Sequence, residues 1–217
     1  YGGTQSNAML SIAALCHLKG WEFHYYTKPV ASRLKQQASG NLKQALELGM
    51  MLHEIEHEQY EVAINRLKAE QQPSTLFIPQ GGADPGAKQG VDLLAEEIKA
   101  WQQTQEIEKL SIVTPSGTGT TAVYLASALP QNTVLTTATA GNSNYLKSQM
   151  SRLGVIPENL IFLESEKKYH FAKPYPEFLS IYQELKESGI EFDLIYAAKM
   201  WLVLMQHIQN ISGTILY

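Results

Sequence analysis

The chain has 217 residues, of which 44% are apolar and 18% charged. That is enough for a substantial core in one domain or two small ones, and it argues against disorder. A net charge of −4, from 21 acidic and 17 basic residues without a basic patch, gives nucleic-acid binding no support.

The longest apolar run lies near Trp201-Leu202-Val203-Leu204-Met205, too short to span a bilayer, and no signal peptide is visible. A single cysteine, Cys16, excludes an intrachain disulfide, and a cytoplasmic location is the expectation. Cys16 sits on an apolar helix and reads as buried packing rather than a nucleophile. The sequence begins without Met inside a glycine loop and ends on the β-type run Gly213-Thr214-Ile215-Leu216-Tyr217. Natural termini are more often frayed polar tails, so the chain is expected to be an interior portion of a longer protein.

In chain order, Tyr1-Gly2-Gly3-Thr4-Gln5-Ser6-Asn7 is a glycine loop opening a helix over 8–19, closed by Gly20. Thr4 or Ser6 can cap that helix, and its N-terminus can attract an anion. A short aromatic strand follows over 22–27, ended by Pro29. Ser39-Gly40-Asn41 introduces a short helix over 42–49, and 50–55 reads as a strand. An amphipathic helix covers 58–71, a strand 75–79 and a loop 80–86. The second half alternates a helix over 87–103, a strand over 109–114, a glycine loop over 117–121 and a helix over 122–129. A strand over 133–137, a helix over 142–153, a strand over 160–163 and helices over 176–188 and 194–209 complete it. Helices between strands at this spacing predict crossovers and parallel pairing. The expected organisation is a smaller α/β domain over 1–80 and a larger one over 81–217, both open, mostly parallel α/β sheets.

The clearest chemical signal is Leu110-Ser111-Ile112-Val113-Thr114-Pro115-Ser116-Gly117-Thr118-Gly119-Thr120-Thr121-Ala122. A strand runs into glycines and hydroxyls and then a helix, an arrangement that wraps a phosphate in backbone N–H groups. It lacks the Gly-Lys-Ser/Thr ending of a P-loop and the third glycine of a dinucleotide fingerprint. The histidines show no metal spacing; His53 and His57 are four apart, but the pattern breaks between them.

Gly2-Gly3-Thr4-Gln5-Ser6-Asn7 resembles the substrate loop of the 1-aminocyclopropane-1-carboxylate deaminase and D-cysteine desulfhydrase family, pyridoxal-phosphate enzymes of the tryptophan-synthase-β-like fold, fold type II. Gly117-Thr118-Gly119-Thr120-Thr121 is similar to the phosphate loop of such enzymes, with Thr120 in place of a glycine. Phe77-Ile78-Pro79-Gln80-Gly81-Gly82 resembles the Ile-Pro-x-Gly-Gly link between domains. Ile195-Tyr196-Ala197-Ala198-Lys199 resembles the Val-Tyr-x-Gly-Lys helix start, and Ser39-Gly40-Asn41 is a fifth, weaker match. The matches occur in family order along nearly the whole chain.

The resemblance implies pyridoxal 5'-phosphate as cofactor and a lyase or deaminase reaction on a small amino acid. It implies that Ser6 lies beside the substrate α-carbon, that Asn7 bonds the cofactor's ring oxygen, and that Thr4 and Gln5 help hold the substrate carboxylate. Gly117, Thr118, Gly119, Thr120 and Thr121 would bind the phosphate. Tyr196 and Tyr175 match catalytic tyrosines, Tyr175 in altered surroundings. The family's cofactor-bearing lysine lies upstream of Gly2, outside this chain, and Lys199 matches a different family lysine. Ala197 stands where the deaminase branch has glutamate and the desulfhydrase branch a smaller hydroxyl residue, so the chain shows neither group and sits nearer the desulfhydrase branch by subtraction. The partner expected is the small amino-acid substrate, with a homodimer as the candidate assembly and neither nucleic acid nor membrane. Two alternatives stay open: a non-catalytic relative that binds the cofactor or another metabolite, and an α/β enzyme holding a different phosphorylated ligand at 117–121.

Overall fold

A computed structural model describes residues 1–189 and 191–217. The chain divides into two compact units, Tyr1–Ala83 and Asp84–Tyr217. Among the described residues no helix is long and apolar enough to cross a membrane.

The first unit holds a two-stranded parallel sheet, β1 (His24–Thr27) and β2 (Met51–Glu54), with His24 opposite Met51 and Thr27 opposite Glu54. Its helices are α1 (Asn7–Lys19), α2 (Ser32–Gln36), α3 (Gly40–Glu47) and α4 (Tyr60–Ala69). Met9 and Ala13 from α1 and Leu42 and Ala45 from α3 pack with Tyr25 and Met50 into one core. Cys16 is buried, as expected, and burial pushes its thiol pKa up, which keeps it protonated. His53 lies on β2 and hydrogen-bonds His24 across the sheet at 2.9 Å, so it shares no helix face with His57.

One expectation fails here, and one helix carries no sequence signal. The segment 75–79 is not a strand: among the described residues it pairs with no other strand, Leu76 is 79% exposed, and Pro73 ahead of it and Pro79 at its end have no N–H groups to donate. The short helix α2 has no side-chain cap and no buried residue, so neither apolar period nor capping pattern marked it.

The second unit is a four-stranded, all-parallel sheet in the order β5-β4-β3-β6. Its strands are β3 (Leu110–Ser116), β4 (Thr133–Ala138), β5 (Leu160–Phe162) and β6 (Thr214–Leu216). Among the described residues five α-helices accompany them: α5 (Ala87–Thr104), α6 (Thr120–Ala128), α7 (Ser143–Met150), α8 (Pro176–Glu187) and α9 (Ala197–His207). The strand β3 is buried on both faces from Leu110 to Val113, which is why Ile112 and Val113 stand side by side without a polar residue between them. Ile112 and Val134 face the cluster containing Val123, Leu125 and Met150, while Val113 and Leu135 face Met200, Val203 and Leu204 from α9. This alternation sets the register that aims the C-terminal end of β3 into the glycine loop.

Candidate active-site elements

In the second unit, β3 ends at Ser116 in a buried hydroxyl network. Thr136 Oγ1 donates to the Thr114 carbonyl at 2.8 Å and accepts from Ser116 Oγ at 2.7 Å. The N–H and the hydroxyl of Thr139 both donate to the Ser116 carbonyl, each at 2.9 Å. The root of the loop is thereby fixed to the end of β4.

Gly119 then caps α6 in the left-handed region, at φ 81° and ψ 5°. A Cβ on it would stand 2.3 Å from Met150 Cε and 2.6 Å from Met150 Cγ, so only glycine fits. Thr120 and Thr121, expected in the loop, form the first turn of α6. Their N–H groups are still without intrahelical partners, as in any first turn. From Gly117 to Ala122, no N–H donates to a backbone carbonyl among the described residues. The Thr118 and Thr120 hydroxyls lie 3.1 Å apart. Thr121 lines a separate hollow with Leu94, Trp101 and Tyr217. Backbone donors, two hydroxyls and the positive end of α6 form a donor set without a basic side chain, which fits a phosphate monoester held mainly by hydrogen bonds.

Tyr196 meets this loop. Its Cε1 lies 3.2 Å from where a Gly117 Cβ would be, and its ring packs edge-on against Phe171 at 5.4 Å. Asp193, which the motif matches did not include, sets its position. Its Oδ1 accepts from the N–H groups of Ile195 at 2.9 Å and Tyr196 at 2.6 Å, and its Oδ2 accepts from Ala197 at 3.2 Å. An aspartate just ahead of a helix start is the sequence signal that could have found it.

Tyr175 packs against the cluster of Tyr169, Phe178 and Ala198. It precedes α8, accepts a hydrogen bond from the His170 N–H at 3.0 Å, and packs against Tyr169 and Phe178 at 4.9 and 5.2 Å. Tyr169 donates to Glu177, and burial followed by that bond pushes its pKa up to about 12. Glu177 is held at about 2, chiefly by Lys167.

In the first unit, Ser6 is the N-cap of α1, its Oγ accepting from the Met9 N–H at 3.3 Å. The Thr4 hydroxyl has no hydrogen-bond partner among the described residues. The Gln5 side chain is held at both ends: its Oε1 accepts from the Asn41 N–H at 3.0 Å and its Nε2 donates to the Ser39 carbonyl at 3.1 Å. Asn41 Nδ2 donates to the Gln5 carbonyl at 3.1 Å and to Asn7 Oδ1 at 2.8 Å. Gly40, at φ 59°, lets Gln5 approach so closely that a Cβ would sit 2.5 Å from its Oε1. The glycine loop and Ser39-Gly40-Asn41, far apart in sequence, are thus one hydrogen-bonded element.

The cap gives a direct expectation for Ser6→Ala. Losing the bond to Met9 should lower stability by about 1 kcal/mol in urea unfolding. A loss of turnover well beyond the lost folded fraction would mark a chemical role as well. Equal losses would mark Ser6 as a cap alone.

No family model matches the chain, and no curated protein matches it. Solved structures do. An O-ureido-L-serine synthase superposes with a TM-score of 0.65 at 15% identity, over 97% of this chain and 68% of that one. A hydrogen sulfide-producing enzyme, solved in complex with an alpha-aminoacrylate intermediate, gives 0.63 at 12%, over 98% and 66%. A cysteine synthase from Entamoeba histolytica gives 0.60 at 14%, over 98% and 64%. The chain spans about two thirds of the length of these structures. At such identities the likeness is one of fold. It is the α/β fold with parallel sheets of the type-II class, as the motif resemblance implies.

Proposed function

We propose that the protein is a pyridoxal-phosphate-dependent lyase or deaminase that releases ammonia and a 2-oxo acid from a small amino acid. The observation that carries this reading is the run of unused N–H donors from Gly117 to Ala122, with the Thr118 and Thr120 hydroxyls beside it. The cofactor, when bound, supplies an electron sink for charge left on the substrate α-carbon.

The chain's own residues do the rest. The second unit's loop holds the phosphate through Gly117, Thr118, Gly119, Thr120 and Thr121. In the first unit, the N–H groups of Thr4, Gln5, Asn7 and Ala8 donate to no backbone carbonyl among the described residues. Together with the Thr4 hydroxyl they are suited to a carboxylate, while the Gln5 side chain holds the loop in shape. The Ser6 hydroxyl accepts from Met9 and keeps its own proton to donate. Tyr175 likewise accepts from His170 and keeps its O–H, and Tyr196 presents its ring edge at Gly117.

The substrate branch follows from Ala197. It is 3% exposed, and its N–H is committed to Asp193. A methyl group cannot stand in for the carboxylate of the cyclopropane-opening branch. The better-supported reaction is therefore β-elimination from a cysteine-like amino acid, in which cysteine and water give pyruvate, ammonia and sulfide. Sulfur chemistry in the names of two structural neighbours supports the same choice. The intact protein, assayed for 2-oxo acid release, is expected to turn over D-cysteine faster than 1-aminocyclopropane-1-carboxylate. The reverse order would overturn the branch choice, and release from neither would overturn the lyase reading.

A further inference from the structure

A cavity of about 600 Å³ opens within the second unit, walled by Tyr169, Phe171, Tyr175, Phe178 and Leu194, with Lys199 among its lining residues. Cavities of this size, apolar with a few placed polar groups, are the usual form of small-molecule sites. The polar group here is unusual. Lys199 is 6% exposed, and among the described residues its ammonium makes one hydrogen bond, to the Ala138 carbonyl at 2.6 Å. An ammonium has three donors, so two are unused. Among the described residues no salt bridge reaches it and no aspartate or glutamate lines the cavity; Lys173 adds a second cation to the walls. Burial pulls the Lys199 pKa down, and the exposed Glu164 only partly offsets this.

A buried cation without a carboxylate partner is costly, and a bound anion relieves that cost. The aromatic walls add a preference for the body of the ligand: Lys199 Nζ lies 5.9 Å from the Tyr169 ring centroid, Tyr175 packs edge-on against Tyr169 and Phe178, and those two rings are tilted against each other at 42°. The loop that closes this wall is held in an unfavourable conformation. Ala172 sits in the left-handed region at φ 56°, where an alanine gains nothing locally.

We propose that this cavity binds a monocarboxylate with an aromatic or branched apolar body, its carboxylate on Lys199 and its body on the tyrosine–phenylalanine wall. The proposal goes beyond the function proposed above, although Tyr175 serves in both, and its test needs neither the cofactor nor turnover.

Titration calorimetry of the intact protein with phenylacetate, and with phenylacetamide as the neutral analogue, tests it. The parent is expected to bind phenylacetate at least tenfold more tightly than phenylacetamide. Lys199→Met keeps the side-chain length and removes the charge, and is expected to abolish that difference. Leu194→Trp, at the half-exposed rim, is expected to weaken both probes by filling the cavity. It keeps the test decisive should the lysine variant fail to fold. Equal affinity of the parent for the two probes, phenylacetate bound by Lys199→Met as by the parent, or an unchanged Leu194→Trp would each overturn the proposal.

Discussion

Gly119→Ala is expected to destabilise the second unit by about 2–4 kcal/mol. Two costs add: an alanine in the left-handed region, at roughly 1 kcal/mol, and overpacking against a filled core, at roughly 1–3 kcal/mol. The new methyl would meet Met150 Cγ and Leu146 Cδ1 as well as the mobile tip of Met150, and both residues are fully buried. Met150→Ala alone leaves a cavity and is itself destabilising, but it makes room for the methyl. The double variant should therefore lose less than the sum of the two single losses. Urea unfolding measures all three. A loss under about 0.5 kcal/mol for Gly119→Ala would mean that the loop does not need the left-handed turn.

Removing both loop hydroxyls, by Thr118→Val with Thr120→Val, is expected to weaken retention of pyridoxal phosphate by about a hundredfold or more. Hydrogen bonds to a charged group contribute about 1.5–3 kcal/mol each, and every 1.4 kcal/mol is tenfold in affinity. Thr120 is buried and Val is close to its shape, so the fold should tolerate the change apart from the lost bond between the two hydroxyls. Cofactor remaining after dialysis, compared with the parent, reads the effect. Retention equal to the parent's would place the phosphate away from these hydroxyls.

The strand–glycine loop–helix run of 110–122 was legible because three local signals agree there: a short β-type strand around Ile112 and Val113, glycines where the backbone must turn, and a helix after them. The α1 cap was legible for the same reason, narrowed by the structure from Thr4 or Ser6 to Ser6. What could not be read was long-range. Gln5 and Asn41 are 36 positions apart, and nothing in either segment announces the other. Lys199 looks like an ordinary helix residue until the fold brings it against the end of β4, 61 positions earlier. The segment 75–79 misled for the opposite reason. Its residues favour strand, but strand preference is realised only against a neighbouring strand, and none pairs with it.

The most direct measurement of the central claim is the cofactor content of the intact protein. It would be purified, gel-filtered after incubation with pyridoxal phosphate, denatured, and assayed for the cofactor released. About one pyridoxal phosphate per chain is expected, with a near-visible absorption band in the folded protein that is lost on unfolding. A protein that is folded by circular dichroism yet releases no pyridoxal phosphate would contradict the account.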